Sequence, residues 1–207
     1  MQHWPAAVAI LAALGLYLLL PTQLALGPRW LIPVLEVALL VLLYLVRSYG
    51  RRAEETDVRF LVIAVVALLN LANIVSVALL VNDVLYGGIT RGRPLLYSGI
   101  SVWLTNVIVF GLWFWQLDRG GPLARLRSDR RYPDFQFPQM MSPDSAPPNW
   151  APAFLDYLYV ALTNAAAFSP TDTMPLSRAA KALMSVESLI SIVTVAVVAA
   201  RAVNILQ

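Results

Sequence analysis

The chain has 207 residues, of which 59% are hydrophobic and 13% charged, and its formal net charge is +3. Soluble domains average about 45–50% apolar and about 25% charged residues, so this composition is typical of an integral membrane protein. The sequence has no cysteine and one histidine, His3, which excludes disulfides, thiolate metal sites and cysteine nucleophiles.

Neither a nucleotide-binding glycine loop nor a serine-hydrolase elbow occurs, so we expect no enzyme activity, no cofactor and no metal site. The sequence pI is about 9.4, and its basic residues are arginines in loops that are not interleaved with aromatics on a soluble domain. Such loops are typical of segments that face anionic lipid. We therefore expect the bilayer as a partner and no nucleic acid.

Four apolar runs come first in the chain, over residues 5–20, 30–46, 60–81 and 95–117. Each is predicted to cross the hydrocarbon of the membrane as a helix. Tyr97 near one end of the fourth run, with Trp113 and Trp115 near the other, predicts aromatic belts at the two membrane interfaces.

Several polar side chains lie inside the apolar runs. Asn70, Asn73 and Asn106 are expected to form hydrogen bonds between helices, as is Asn164 further along the chain. Glu36, in the second run, either has a structural role, paired with an arginine or protonated between helices, or relays protons.

Residues 118–150 are rich in proline, glycine and arginine and predict an ordered or partly ordered loop. Within it, "PDFQFPQMM" carries aromatics and methionines that suit packing on the membrane surface or on a neighbouring subunit. Residues 151–168 then have a helical pattern but marginal length for a span, with Asp156 placed to cap the helix start. A last helix is predicted over 183–206, containing Glu187 and Arg201.

Two topologies follow from residues 151–168. If this segment spans, there are six helices, and ten basic residues against five favour the cytoplasm for the larger group. If it is a re-entrant half-helix, there are five spans, with eleven basic residues against four. With the C-terminus inside, those eleven lie outside, which opposes the charge rule. In the six-span reading the ten are Arg47, Arg51, Arg52, Arg59, Arg119, Arg125, Arg127, Arg130, Arg131 and Arg201, and the five are Arg29, Arg91, Arg93, Arg178 and Lys181.

The order of elements from Asp156 to Arg201 resembles the pore region of tetrameric cation channels, particularly bacterial potassium-channel-like proteins. "DYLYVALTNAAA" is similar to the pore helix, Asp172 stands where the filter motif has its aspartate, and Pro175 and Arg178 follow at similar spacing. Glu187, in "SVESL", matches a glutamate of the inner helix. The resemblance covers about a quarter of the chain, and "AFSPTDTMPL" is also similar to a stretch in other bacterial membrane proteins.

Aligned on Asp172, the filter positions are Ala167, Phe168, Ser169, Pro170 and Thr171, and both glycines of the family motif are missing. Those glycines permit the backbone angles that point successive carbonyls at the ion, whereas proline fixes its own φ and restricts the residue before it. Potassium selectivity therefore does not carry over. The lining would come from the hydroxyls of Ser169 and Thr171 and from the ring of Phe168.

The resemblance implies a homotetramer in the bacterial inner membrane that conducts an ion of unknown selectivity. The expected fold is an all-α integral membrane protein with four spanning helices, a re-entrant pore helix with a filter-like loop, and a final inner helix. Residues 1–94 would form three membrane spans and 95–207 the pore-like module. The alternative is a six-span transporter-like or scaffold protein without a central pore.

The resemblance also implies roles for residues around the filter positions. Thr163 and Asn164 belong to the pore and filter-like set, and Arg178 and Glu187 support it. Glu187 either braces the pore helix or lines the permeation path. Asp172 either holds the loop by hydrogen-bonding the pore helix or forms an acidic ring at the mouth.

Overall fold

The computed structural model describes residues 4–25, 27–28, 30–49, 55–86, 92–122, 124–126, 132–167 and 172–206. These parts of the chain are mostly helical, with one short antiparallel ribbon. The helices are α1 (Trp4–Leu19), α2 (Leu31–Tyr49), α3 (Glu55–Tyr86), α4 (Gly92–Leu117), α5 (Pro138–Met141), α6 (Phe154–Ala167) and α7 (Arg178–Leu206). The strands are β1 (Phe135–Gln136) and β2 (Met174–Pro175), and 3-10 turns cover Thr22–Leu24, Asp118–Gly120, Ala124–Leu126 and Pro143–Ser145.

In the part of the chain that the structure describes, three helices are long and apolar enough to cross a membrane, over Arg59–Tyr86, Pro94–Gly120 and Arg178–Ala200. They agree with the third and fourth predicted spans and with the last helix. The first two predicted spans also form helices, α1 and α2, whose apolar stretches within the described residues are Pro5–Leu19 and Leu31–Val41. Since a span needs about 20 apolar residues, only two of the four spans predicted before α6 meet that length within the described residues.

The last helix begins at Arg178, so the predicted start at residue 183 is wrong. The prediction followed the apolar run, whereas the first turn of α7 carries the exposed charges of Arg178 and Lys181. The Ser177 hydroxyl oxygen accepts a hydrogen bond from the N–H of Ala180 at 3.1 Å. This cap satisfies one of the free N–H groups of the first turn and lets the helix start earlier.

Helix α4 is the centre of the bundle and packs against α1, α3, α6 and α7. Its Val109, Phe110 and Phe114 are fully buried. Because other helices surround α4, few of its apolar side chains are left for contact with lipid.

The aromatic residues predicted at the two ends of α4 differ in exposure, and the prediction of an interfacial side chain is wrong for Trp115. Tyr97 is 71% exposed. Trp115 is buried, with its ring edge-on to Phe154 at 5.7 Å between centroids. The start of α6 covers Trp115, which a reading of α4 alone does not anticipate.

The aromatic residues of the long loop pack back onto the loop's own chain. The ring of Phe135 lies 5.1 Å from that of Phe114, and the ring of Phe137 lies 5.2 Å edge-on from that of Tyr157. Both loop phenylalanines are buried. The two phenylalanines were predicted to pack on the membrane surface or on a neighbouring subunit. They instead cover the junction of α4 and α6 within the chain.

Helix α4 is antiparallel to α3 and to α7. Asn73 bonds Asn106, while Leu80, later in α3, clusters with Leu95, earlier in α4. Trp103 bonds Ser191, while the later Asn106 bonds the earlier Glu187. Two ends of the bundle follow from this arrangement. We call the end with Asp118, the β-ribbon and the first turn of α7 the ribbon end, and the other the distal end.

Helices α1 and α2 fit the same two ends. Tyr17 shares a buried cluster with Val102, and the next cluster joins Leu24 to Leu95, so α1 starts at the ribbon end and finishes at the distal end. Ile32, at the start of α2, lies in the same cluster as Tyr17, near the distal end of α1. Helix α2 therefore runs back towards the ribbon end.

A close contact between helix backbones joins α4 to α6. A Cβ added at Gly111 would lie 3.1 Å from the Cα of Leu158. Most Cβ atoms do not approach a backbone atom so closely, so a larger residue here would push α6 away. Gly111 therefore sets how deeply α6 sits against the central helix.

Candidate functional site

The start of α6 is fixed at the ribbon end. Asp156 caps the helix, since its Oδ2 accepts the N–H of Ala153 at 2.6 Å, as the sequence predicts. The Tyr157 hydroxyl donates to Asp118 Oδ2 at 2.7 Å, and the N–H of Asp134 donates to Asp118 Oδ1 at 2.8 Å. The fully buried Asp118 thus joins the end of α4, the first turn of α6 and the loop before β1.

Arg125 completes this junction. Its Nη1 donates to the carbonyl oxygens of Trp115 and Asp118, both at 2.9 Å, and lies 3.9 Å from the Asp118 carboxylate. Its guanidinium carbon lies 5.2 Å from the centre of the Tyr157 ring. Burial lowers the pKa of Arg125, but a guanidinium remains charged at neutral pH. A cation here also opposes the partial negative charge of the α4 C-terminus.

The entry to α7 is bound to the same junction. Phe135 pairs with Pro175 and Gln136 with Met174 across the β-ribbon, and the N–H of Leu176 donates to the carbonyl of Asp134 at 2.8 Å. The segments before and after α6 are therefore hydrogen-bonded to each other.

The other end of α6 is bound well inside α7. Asn164 Nδ2 donates to the carbonyl of Met184 at 2.9 Å and to Glu187 Oε2 at 2.7 Å, and Asn164 Oδ1 accepts from the Ser188 hydroxyl at 3.2 Å. The Ser191 hydroxyl donates to the carbonyl at position 165 at 2.7 Å. At about 1.5 Å per residue, Ser191 lies about 20 Å along α7 from its start.

These contacts continue across the bundle. Asn106 donates from Nδ2 to the Glu187 carbonyl, and its Oδ1 accepts from Asn73 Nδ2, both at 3.3 Å. Trp103 Nε1 donates to the Ser191 hydroxyl at 2.7 Å. We call this set the buried polar chain: Asn73, Trp103, Asn106, Asn164, Glu187, Ser188 and Ser191. It joins α3, α4, α6 and α7, and it includes three of the four asparagines predicted to bond between helices.

Glu187 is fully buried and faces α6 and α4. Its Oε2 is held by Asn164, whereas Oε1 has no hydrogen-bond partner among the described residues. Of its two predicted roles, this position within one chain fits bracing of α6. Glu36 is also fully buried, and neither of its carboxylate oxygens has a hydrogen-bond partner in the described part of the chain.

The remaining predicted site residues are spread along the connection between α6 and α7. Thr163 bonds the carbonyls of its own helix at positions 159 and 160, both at 3.0 Å, and Ala167 is the last residue of α6. Asp172 and Arg178 are exposed. Phe168, Ser169, Pro170 and Thr171 lie outside the described residues.

Sequence reasoning missed Ser191, which binds the end of α6, Trp103, which bonds Ser191, and the Asp118–Arg125 junction. Ser191 follows Glu187 by four residues and so lies on the same helical face. That spacing was the available signal. The partners of Asp118 are distant in sequence, and no local pattern indicates them.

Comparison of the chain with protein-family models, with curated proteins and with solved structures found no match.

Proposed function

We propose that the protein is a homotetrameric, ion-channel-like membrane protein in which α6 is a re-entrant half-helix. The observation that carries the proposal is the pair of anchors on α6. Its first turn is bound to Asp118 at the ribbon end, and its last turn is bound to Glu187 and Ser191 deep along α7. The chain is back at the ribbon end by Leu176, which bonds Asp134.

The length of α6 supports the same topology. Its 14 residues extend about 21 Å at 1.5 Å per residue, short of the 30 Å of hydrocarbon that a span must cross. A six-span protein needs the two flanks of α6 on opposite sides of the membrane. The β-ribbon hydrogen-bonds those flanks to each other, which favours a re-entrant α6 over a spanning one.

The electrostatics of a half-helix suit a cation. The last carbonyl groups of a helix carry a partial negative charge. Those of α6 lie at the same depth in the bundle as the buried polar chain. In a ring of copies, several such ends would face one axis. Side chains of Ser169 and Thr171 would line the path beyond them, with Phe168 as a constriction and Asp172 at the mouth. No selectivity follows from this lining.

A pore on the axis of a ring requires contacts between copies, and one chain leaves suitable surfaces uncovered. Leu155, Tyr159 and Leu162 form an exposed stripe on α6. Of the most apolar stretch of α7, 22% is buried within the chain, against 61% for the corresponding stretch of α4. Val186 and Leu189 are among its exposed side chains. Closed cyclic assembly would bury part of these faces, and the number four comes from the resemblance.

The test combines oligomeric state with ion flux. Protein purified in mild detergent is expected to be a tetramer by native mass spectrometry, and liposomes containing it are expected to pass a monovalent cation. Leu162→Trp, on the α6 stripe, should weaken both. Leu11→Trp, at an exposed position of α1, is the matched control and should change neither. A monomer that passes no ion at any voltage or pH would overturn the proposal.

A further inference from the structure

The direction of each helix determines which connections share a side of the membrane. Helices α1, α3 and α7 start at the ribbon end, whereas α2 and α4 finish there. The segments that join the helices at the ribbon end are therefore 47–59, 118–153 and 168–181. The distal end has the segments 20–30 and 87–94 and the end of α7.

Basic residues are distributed unequally between these segments. All but four of the 15 Lys and Arg residues fall, by their sequence positions, in the segments assigned to the ribbon end. The four at the distal end are Arg29, Arg91, Arg93 and Arg201. Those at the ribbon end are Arg47, Arg51, Arg52, Arg59, Arg119, Arg125, Arg127, Arg130, Arg131, Arg178 and Lys181.

Short loops rich in Lys and Arg stay in the cytoplasm during membrane insertion, and acidic residues contribute little to this bias. All the connecting segments here are short enough for the rule to apply. The conflict between the five-span reading and the charge rule arises only if the end of α7 is placed in the cytoplasm.

We infer that the ribbon end faces the cytoplasm, so that α6 enters the membrane from the cytoplasmic side and α7 ends outside. The inference rests on the proposed half-helix, because a spanning α6 would put α7 on the other side. It removes the conflict without changing any contact of the fold.

The inference also assigns a lipid partner to the exposed basic residues of the ribbon end. Three basic side chains are exposed at the ribbon end: Arg59, where the apolar part of α3 begins, and Arg178 and Lys181, in the first turn of α7. At a cytoplasmic interface they would lie at the level of anionic headgroups, which attract such residues. The mouth that carries Asp172 would then open to the cytosol.

Because the chain has no cysteine, single cysteines can be introduced without removing a native one. Gln23 at the distal end and Ser145 and Met174 at the ribbon end are exposed positions for Gln23→Cys, Ser145→Cys and Met174→Cys. Ser145 lies before α6 and Met174 after it. Each variant is treated in intact bacterial cells with a membrane-impermeant maleimide, and total labelling is measured after permeabilisation.

We expect Q23C to label in intact cells, at least about tenfold more than S145C or M174C, which should label only after permeabilisation. The reverse pattern, with Ser145 and Met174 positions labelled and the Gln23 position protected, would overturn the orientation and leave the half-helix standing. If the positions 145 and 174 differ from each other, α6 crosses the membrane, and both the half-helix and this inference fail.

A second measurement does not depend on cysteine accessibility. Alkaline phosphatase fused after Gln207 should be active, because it folds only outside the cytoplasm, and a fluorescent protein that matures only in the cytoplasm should stay dark there. An inactive phosphatase and a bright fluorescent fusion would overturn the inference.

Discussion

Replacing Asn164 by leucine removes the contacts that fix the end of α6 while keeping a side chain of similar size. Three hydrogen bonds are lost: those to the Met184 carbonyl, to Glu187 Oε2 and from Ser188. Each hydrogen bond between membrane helices contributes about 0.6 kcal/mol on average, so the three together contribute about 2 kcal/mol.

The larger effect falls on Glu187. Its Oε1 already has no hydrogen-bond partner among the described residues, and without Asn164 its Oε2 loses its partner as well. An unsatisfied buried polar group costs about 1–3 kcal/mol. We therefore expect Asn164→Leu to lower the free energy of unfolding by about 3–5 kcal/mol.

Glu187→Leu is the other single variant of a double-mutant cycle with Asn164→Leu, and it removes the buried carboxyl itself. Asn164 then keeps its bond to the Met184 carbonyl, so this variant should cost less than Asn164→Leu. In the double variant no carboxyl remains to be left unsatisfied. Its cost should fall short of the sum of the two single costs by about 1–3 kcal/mol.

The assay is reversible unfolding in mixed micelles of mild detergent and dodecyl sulfate, followed by circular dichroism. Thr163→Val is the matched control, because the Thr163 hydroxyl bonds only carbonyls of its own helix. It should change stability by less than about 0.5 kcal/mol. Additive single costs, or an Asn164→Leu cost no larger than that of the control, would refute the reasoning.

Two further predictions use the same unfolding assay, and two concern the assembled protein. Gly111→Val should destabilise by about 1–3 kcal/mol because it forces α6 from α4, whereas Gly15→Ala, with open space around it, should not destabilise. Tyr157→Phe should cost about 1–3 kcal/mol because Asp118 loses its hydroxyl donor, while Tyr132→Phe, at an exposed position, should be neutral. The oligomer and ion-flux test and the cysteine-labelling test, both set out above, make up the rest.

The helices could be predicted from the sequence because apolar runs and helical spacing are local signals. The bounds of α6, Phe154–Ala167, differ from the predicted 151–168 by a few residues. Asp156 could be predicted to cap the start of α6, since a carboxylate in the first turn is a local cap. The predicted hydrogen-bonding roles of Asn73, Asn106 and Asn164 also follow from one rule, that polar groups inside apolar runs bond to one another.

The rest depended on contacts between distant parts of the chain. Each strand of the β-ribbon has two residues, too few for an alternating pattern, so the ribbon left no signal. Arg125 was predicted only as one of many loop arginines, because its burial depends on Asp118 and Tyr157 coming together. Trp115 was placed at an interface for the same reason: the element that covers it is elsewhere in the sequence.

The anchors of α6 also determine when it can be held in place during synthesis. The partners of its last turn, Glu187 and Ser191, belong to α7, and the ribbon that joins its flanks needs Met174. None of these residues has reached the membrane when α6 itself leaves the ribosome. We therefore expect the last turn of α6 to be fixed only after α7 has entered the membrane, so that a chain that stalls between the two helices exposes the polar end of α6 to quality-control proteases.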